Sequence, residues 1–145
     1  MPKQHVWMSH FGANNMSELI AILVLMILCH LLADYPLQGW LAQAKAKAYW
    51  KDTKTPNDWV MALLCHSAMW GIMVYLPIII FGEIDFEWYV CLLFWLTLIL
   101  NILGHFLIDN AKANEHKINL ITDQICHLIQ ILMTWVFYIL LLWLW

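Results

Sequence analysis

Two similar stretches of eight residues, each at the end of a long apolar run, constrain the fold of this chain most. Residues 27–34 read ILCHLLAD and residues 102–109 read ILGHFLID, so five of the eight positions are identical. Each stretch contains a His and an Asp four residues apart, which a helix places on one face. A Cys-His dipeptide then lies in the next apolar run, at residues 65–66 and 126–127. The pattern predicts two copies of a helical hairpin that carry ionisable side chains in an apolar setting.

The composition indicates that this setting is a membrane. Of the 145 residues, 63% are apolar and 12% are charged. A hydrocarbon core of about 30 Å requires about 20 mainly apolar residues in a helix. The stretches of suitable length and composition are residues 17–33, 59–81, 88–108 and 121–145. A soluble bundle of this length would lack the interior to bury four such helices. We therefore predict an all-α integral membrane four-helix bundle over residues 17–145, built from two repeated hairpins and preceded by a tail over residues 1–16.

Local signals predict where the helices begin and end. Asn15 is a suitable cap for the first helix, and Pro36 should end it. Residues 37–51 have apolar side chains at helical spacing with Lys between them, which predicts a short interfacial helix between the first two spans. Pro77 and Gly82 are expected to mark the end of the second span.

The distribution of charge predicts the orientation. Six of the seven Lys lie in the first and third connections, whereas the second connection, residues 83–87, has three acids and no Lys. The positive-inside rule then places the Lys-bearing connections in the cytoplasm and both termini outside. The net charge is −3 and the chain has no Arg, which argues against a nucleic-acid partner.

This topology predicts that ionisable residues from four helices converge. They lie at the cytoplasmic ends of the first and third spans and the starts of the second and fourth, within about 10 Å in depth at a rise of about 1.5 Å per residue. The seven residues are His30, Asp34, His66, His105, Asp109, Asp123 and His127. Carboxylates buried at this depth must be compensated, and imidazole with carboxylate suits one or two divalent ions of Zn, Mn or Fe.

Further polar residues near this cluster suggest roles in catalysis. The candidate catalytic carboxylates, as ligands or general base, are Asp34, Asp109 and Asp123. Side chains expected to orient ligands or water, or to pair with a substrate phosphate, are Gln38, Gln124, Lys45, Lys47 and Lys112. A surface helix near anionic lipid carries Lys for other reasons too. The cysteines beside the histidines are Cys29, Cys65 and Cys126, and neighbouring helix residues point about 100° apart, so a Cys and its neighbouring His cannot easily share one ion. These cysteines are expected to be buried, reduced and unpaired.

The order of these motifs resembles a known family. Residues 30–38, then Lys45 and His66, then residues 105–109 with Lys112, and finally residues 123–127 are similar to the DUF3307 family of small bacterial and phage membrane proteins of unknown function. The resemblance covers roughly residues 23–132 and implies a bacterial inner-membrane location. The layout is also distantly similar to inner-membrane proteins described as metal-dependent hydrolases.

Four functions are compatible with the sequence. The first is a metal-dependent hydrolase acting on a lipid or lipid-linked phosphate at the cytoplasmic headgroup level. The second is a transporter of divalent cations, because His and Asp four residues apart on spanning helices resemble the pairs in some zinc transporters. The third is haem ligation by two of the histidines, and the fourth is a non-enzymatic interaction protein of a phage or bacterial membrane. Membrane lipid is the expected partner, and the outward apolar faces would also allow copies of the chain to associate.

Overall fold

The computed structural model describes residues 13–82 and 88–143. All regular structure in these two ranges is helical. The helices are α1 (Ala13–Asp34), α2 (Leu41–Ala44), α3 (Lys47–Trp50), α4 (Trp59–Phe81), α5 (Trp88–Ala113) and α6 (Leu120–Trp143). Most of the predicted tail, the acidic connection over residues 83–87 and the last two residues lie outside the described ranges.

The four long helices confirm the predicted spans. Segments of α1, α4, α5 and α6 are long and apolar enough to cross a membrane. The predicted second span, residues 59–81, has the observed bounds of α4. Helix α5 continues five residues past the predicted end at residue 108, because Asp109 and Lys112 find polar partners inside the protein and need not leave the helix.

Two predicted helix boundaries are wrong. Helix α1 begins at Ala13, before the predicted cap at Asn15, although it ends at Asp34 ahead of Pro36 as expected. Helix α4 passes through Pro77 and continues to Phe81, so that only Gly82 marks its end. A proline removes one backbone hydrogen bond, and an apolar helix packed against neighbours tolerates that loss.

The first connection forms two short helices instead of one helix over residues 37–51. The chain is extended at Ala46, which separates α2 from α3. Asn114, just after α5, holds this break: its amide donates to the Lys45 carbonyl at 3.1 Å, and the Lys47 backbone N–H donates to its Oδ1 at 2.7 Å. This clamp fixes the backbone on both sides of Ala46 and so fixes the position of Lys45.

The four long helices surround a core that is apolar over most of its length. Helix α4 packs against α1 and α5, and α6 closes the bundle against α5 and α1. The buried apolar cluster comprises Leu19, Ile22, Met26, Ala33, Trp70, Val74, Tyr75, Ile78, Phe94, Leu98, Ile131 and Tyr138. Large apolar side chains are also exposed on the outer faces of all four long helices, as expected of helices in contact with lipid. Buried polar residues collect at one end of the bundle, where α1 and α5 end and α4 and α6 begin.

Helices α4 and α5 approach each other closely at Gly71. A Cβ placed on Gly71 would lie 2.6 Å from Cγ1 of Ile102. Small residues at such crossings allow the backbones of membrane helices to approach.

We expect Gly71→Val to lower the free energy of unfolding by about 1–3 kcal/mol, because the added carbons must displace Ile102. The matched control is Ile72→Val, since Ile72 is exposed on the outer face of the same helix. Unfolding of the detergent-solubilised protein, followed by circular dichroism, compares the two. Equal losses in both variants would contradict the close approach of α4 and α5.

Candidate metal centre

The structure buries the seven ionisable residues that the sequence selected. Each has at most 4% of its surface exposed: His30, Asp34, His66, His105, Asp109, Asp123 and His127. They come from the ends of α1 and α5 and from the starts of α4 and α6, so neighbouring long helices are antiparallel. The predicted convergence of four helices is therefore present.

Asp109 lies at the middle of the cluster. Its Oδ2 is 2.6 Å from Nζ of Lys45, 3.2 Å from Nε2 of His66 and 3.7 Å from Nε2 of His105. Its Oδ1 faces the other way and lies 3.3 Å from Nε2 of His127. One carboxylate thus connects residues from α4, α5, α6 and the first connection.

The Lys45 side of the cluster forms one group that could hold a metal ion. Asp34, His66, His105 and Asp109 each offer a ligand atom, and these atoms all lie within 4.8 Å of one another. Nε2 of His66 is 3.2 Å from both Nε2 of His105 and Oδ1 of Asp34. Ligands about 2.0–2.2 Å from a tetrahedral ion are about 3.3–3.6 Å apart, so these separations are close to those of a coordination sphere. The Lys45 ammonium, however, already contacts both Asp109 and His66 here.

His127 belongs to a second group, and its tautomer follows from its neighbours. The amide of Gln130 donates to the main-chain carbonyl of Asn101 at 3.2 Å, so Oε1 of Gln130 accepts from Nδ1–H of His127 at 3.2 Å. In a neutral ring the lone pair is then on Nε2, which faces Oδ1 of Asp109 at 3.3 Å and Oδ1 of Asp123 at 3.4 Å. A lone pair and two carboxylate oxygens repel one another unless a cation or a proton lies between them.

The second group has buried carboxylate oxygens that face histidine rings but accept no hydrogen bond from the described residues. Asp34, Asp123 and His127 offer ligand atoms within 4.8 Å of one another. Gln124 donates to Oδ2 of Asp34 at 2.9 Å and to Oδ2 of Asp123 at 3.1 Å, and Lys112 also pairs with Oδ2 of Asp123. Oδ1 of each carboxylate accepts no hydrogen bond from any residue that the structure describes. The Oδ2 atoms of both carboxylates therefore have donors, and the Oδ1 atoms are available to an ion.

His30 lies outside both groups, although the sequence selected it as a ligand. The indole N–H of Trp70 donates to Nδ1 of His30 at 2.8 Å, so the ring proton is on Nε2, which donates to Oε1 of Gln124 at 3.1 Å. Both ring nitrogens are therefore used. His30 fixes the orientation of Gln124, which in turn holds Asp34 and Asp123.

Trp70 is a central part of the site that the sequence analysis missed. It is fully buried, and its ring stacks on His105 with centroids 4.3 Å apart. His105 in turn stacks on His127 at 4.2 Å. The signal in the sequence is the spacing of His66 and Trp70, four residues apart on one face of α4.

Gly104 provides the space for Gln130. A Cβ on Gly104 would lie 2.6 Å from Nε2 of Gln130. The glycine thus allows the Gln130 amide on α6 to donate to a main-chain carbonyl of α5 and to accept from Nδ1 of His127. Such supporting contacts orient metal-binding histidines in known sites.

The residues predicted to bind a substrate phosphate occupy different environments. Lys45 is buried against Asp109, whereas Lys47 is exposed, with Nζ 4.5 Å from the centroid of the Trp59 ring. Lys112 pairs with Asp123 and keeps 23% of its side chain exposed. Gln38 donates to a main-chain carbonyl at the end of α1 rather than to a side chain of the cluster.

The cysteines beside the histidines take no part in the cluster. Cys29, Cys65 and Cys126 are free thiols, as predicted, but none of them is fully buried, and Cys65 is exposed. The prediction of burial was wrong because each cysteine points about 100° away from a histidine that faces the interior.

Comparison with known proteins identifies the family. The model of DUF3307, described as a protein of unknown function, matches residues 22–144. Neither curated proteins nor solved structures give a match. The resemblance noted in the sequence is confirmed.

We expect Lys45→Met to destabilise the protein by about 3–5 kcal/mol, because it leaves Asp109 buried without its ammonium partner. Lys47→Met is the matched control two residues away, and its loss should stay within about 1 kcal/mol since that side chain makes an exposed cation–π contact. Denaturant unfolding in detergent measures both. Similar losses would show that Lys45 is not the counter-ion of Asp109.

Proposed function

The chain belongs to the DUF3307 family, and we propose that it is a metal-dependent membrane hydrolase acting on a lipid or lipid-linked phosphate. The observation that carries this proposal is the position of Nε2 of His127. Gln130 holds the opposite ring nitrogen, and the ligand atoms of His127, Asp123 and Asp34 lie within 4.8 Å of one another. A buried nitrogen and two carboxylates around one point are the donor set of a divalent cation such as Zn, Mn or Fe.

We assign the ion to Asp34, Asp123 and His127. These residues form a group of suitable size, and Oδ1 of each carboxylate accepts no hydrogen bond from a described residue, although Nε2 of His66 lies 3.2 Å from Oδ1 of Asp34. Gln124 and Lys112 bind the Oδ2 atoms of these carboxylates and would keep them in place. The alternative group around His66 is less suitable, because the Lys45 ammonium already provides positive charge there.

The charge of the cluster favours one ion over two. Three buried carboxylates face the ammonium groups of Lys45 and Lys112, which leaves a net charge of −1 when the histidines are neutral. One divalent ion changes this to +1, whereas two would leave +3. Uncompensated charge is costly in a low-dielectric interior, so the second ion is strongly disfavoured.

The remaining residues of the cluster suggest how hydrolysis would proceed. A bound divalent ion would polarise a phosphoryl oxygen and activate water. The Nε2 atoms of His66 and His105 lie 3.2 Å apart, so that one ring can donate to the other, which suits this pair for proton transfer. Lys112 has donors left to bind a phosphate oxygen, because its side chain is partly exposed. Lys45 serves as the fixed counter-charge of Asp109.

The depth of the cluster suggests the substrate. The cluster lies at one end of the four spans, beside the Lys-bearing connections, and the positive-inside rule places this end at the cytoplasmic headgroups. In a bacterial inner membrane, lipid phosphates are at this level.

Other functions have less support. A cation pathway would require polar groups along the bundle, but the core beyond the cluster is mostly apolar, with Tyr75, Thr134 and Tyr138 among side chains such as Ile78 and Phe94. The stacked rings of His105 and His127 leave no room for a porphyrin between them. A metal-free polar core in a non-enzymatic interaction protein is the second candidate, because a proton on one histidine would balance the same charge.

Elemental analysis of the detergent-purified protein tests the proposal. We expect about one Zn, Mn or Fe per chain, and loss of the ion in Asp123→Asn and in His127→Gln. The control His116→Asn replaces an exposed histidine and should retain the ion. Folded wild-type protein that holds no ion after growth and purification in the presence of these metals would favour the metal-free alternative.

Gln130→Leu tests the assignment of His127 as a ligand. Without the amide that fixes its tautomer, we expect the affinity for the metal to fall by about 10- to 100-fold, as for supporting residues in known sites. Competition with a chelator of known affinity measures the change. The control Gln43→Leu alters an exposed amide on α2 and should leave the affinity unchanged. An unchanged affinity in Gln130→Leu would remove His127 from the ligand set.

A further inference from the structure

A groove of about 330 Å³ lies between α5 and α6. Its lining residues all belong to the membrane-spanning parts of these helices, and its surface is mostly apolar. The outward-facing Met133, 64% exposed, and Ile129, 54% exposed, form part of its wall. The groove is therefore open toward the lipid.

The polar side chains that line the groove direct their hydrogen bonds into the protein. The hydroxyls of Thr97 and Thr134 donate to main-chain carbonyls of their own helices. The amide of Asn101 donates to the hydroxyl of Tyr75 at 2.9 Å, and that of Gln130 donates to the carbonyl of Asn101. Because these donors are used, the groove presents a surface suited to hydrocarbon rather than to a headgroup or an ion.

The groove is continuous with the candidate metal centre. Gln130 lines the groove and also accepts the hydrogen bond from Nδ1 of His127. From His127 to Phe137, at the far end of the groove on α6, the helix rises about 15 Å, which is half of the hydrocarbon thickness. A lipid with its phosphate near Lys112 and Asp123 would have its tail along this part of α6.

We propose that the groove between α5 and α6 binds the hydrocarbon tail of the lipid whose phosphate reaches the centre. Binding of the phosphate at the centre rests on the proposed function, whereas binding of the tail rests on the shape and apolar lining of the groove. It predicts that the protein selects long-chain over short-chain substrates, because each buried methylene contributes to binding.

The experiment compares two tryptophan substitutions on α6. Met133→Trp fills the groove, whereas Leu132→Trp adds the same ring at a neighbouring exposed position that does not line it. Native mass spectrometry in detergent measures binding of dioleoyl phosphatidic acid, of a short-chain phosphatidic acid, and of dioleoylglycerol, which has the tails without the phosphate. Elemental analysis of each variant shows whether the centre is intact.

We expect Met133→Trp to weaken binding of both dioleoyl lipids by about tenfold, equivalent to withdrawing about two methylene groups from an apolar contact, with the metal content unchanged. Leu132→Trp should leave binding within about twofold of the wild type. Equal affinities in the two variants, or a short-chain lipid bound as tightly as the long-chain one, would overturn the proposal. If the centre binds no metal or phosphate, dioleoylglycerol still tests the groove, so failure of the two proposals can be told apart.

Discussion

The structure depends on the compensation of three carboxylates buried inside an apolar bundle. Asp109 is the most constrained of them, since it lies between the ammonium of Lys45 on one side and His127 on the other. Isolated carboxylates at this depth would be too costly, so partners must come from every neighbouring helix and from the first connection. The position of Lys45, held by the clamp at Asn114, follows from the same requirement.

The chemistry of the site depends on which carboxylate oxygens have hydrogen-bond donors and which do not. Gln124 and Lys112 donate to the Oδ2 atoms of the second group, and the Oδ1 atoms accept no hydrogen bond in the described part of the chain. Around this group the supports are indirect: Trp70 holds His30, and His30 holds Gln124. The residues nearest the proposed ion are thus oriented by a layer that is itself hydrogen-bonded.

Much of the fold could be predicted from the sequence, because long apolar runs and alternating helix directions leave few arrangements. The same reasoning brought His30, His66 and His105 to one depth. It could not separate their roles, since the role of His30 depends on hydrogen bonds with Trp70 and Gln124 that form only in three dimensions. Nor could it predict that Lys45 would turn inward, because the break at Ala46 depends on a side chain nearly seventy positions away along the chain.

The space at Gly104 makes the roles of the two similar stretches, residues 27–34 and 102–109, different. Gly104 corresponds to Cys29 in the first stretch, and it alone admits a glutamine amide from the neighbouring helix. The matching histidines have diverged accordingly: His30 orients an amide, and His105 stacks between Trp70 and His127. The interior is therefore asymmetric: exchanging the two stretches would remove the space that lets Gln130 reach His127.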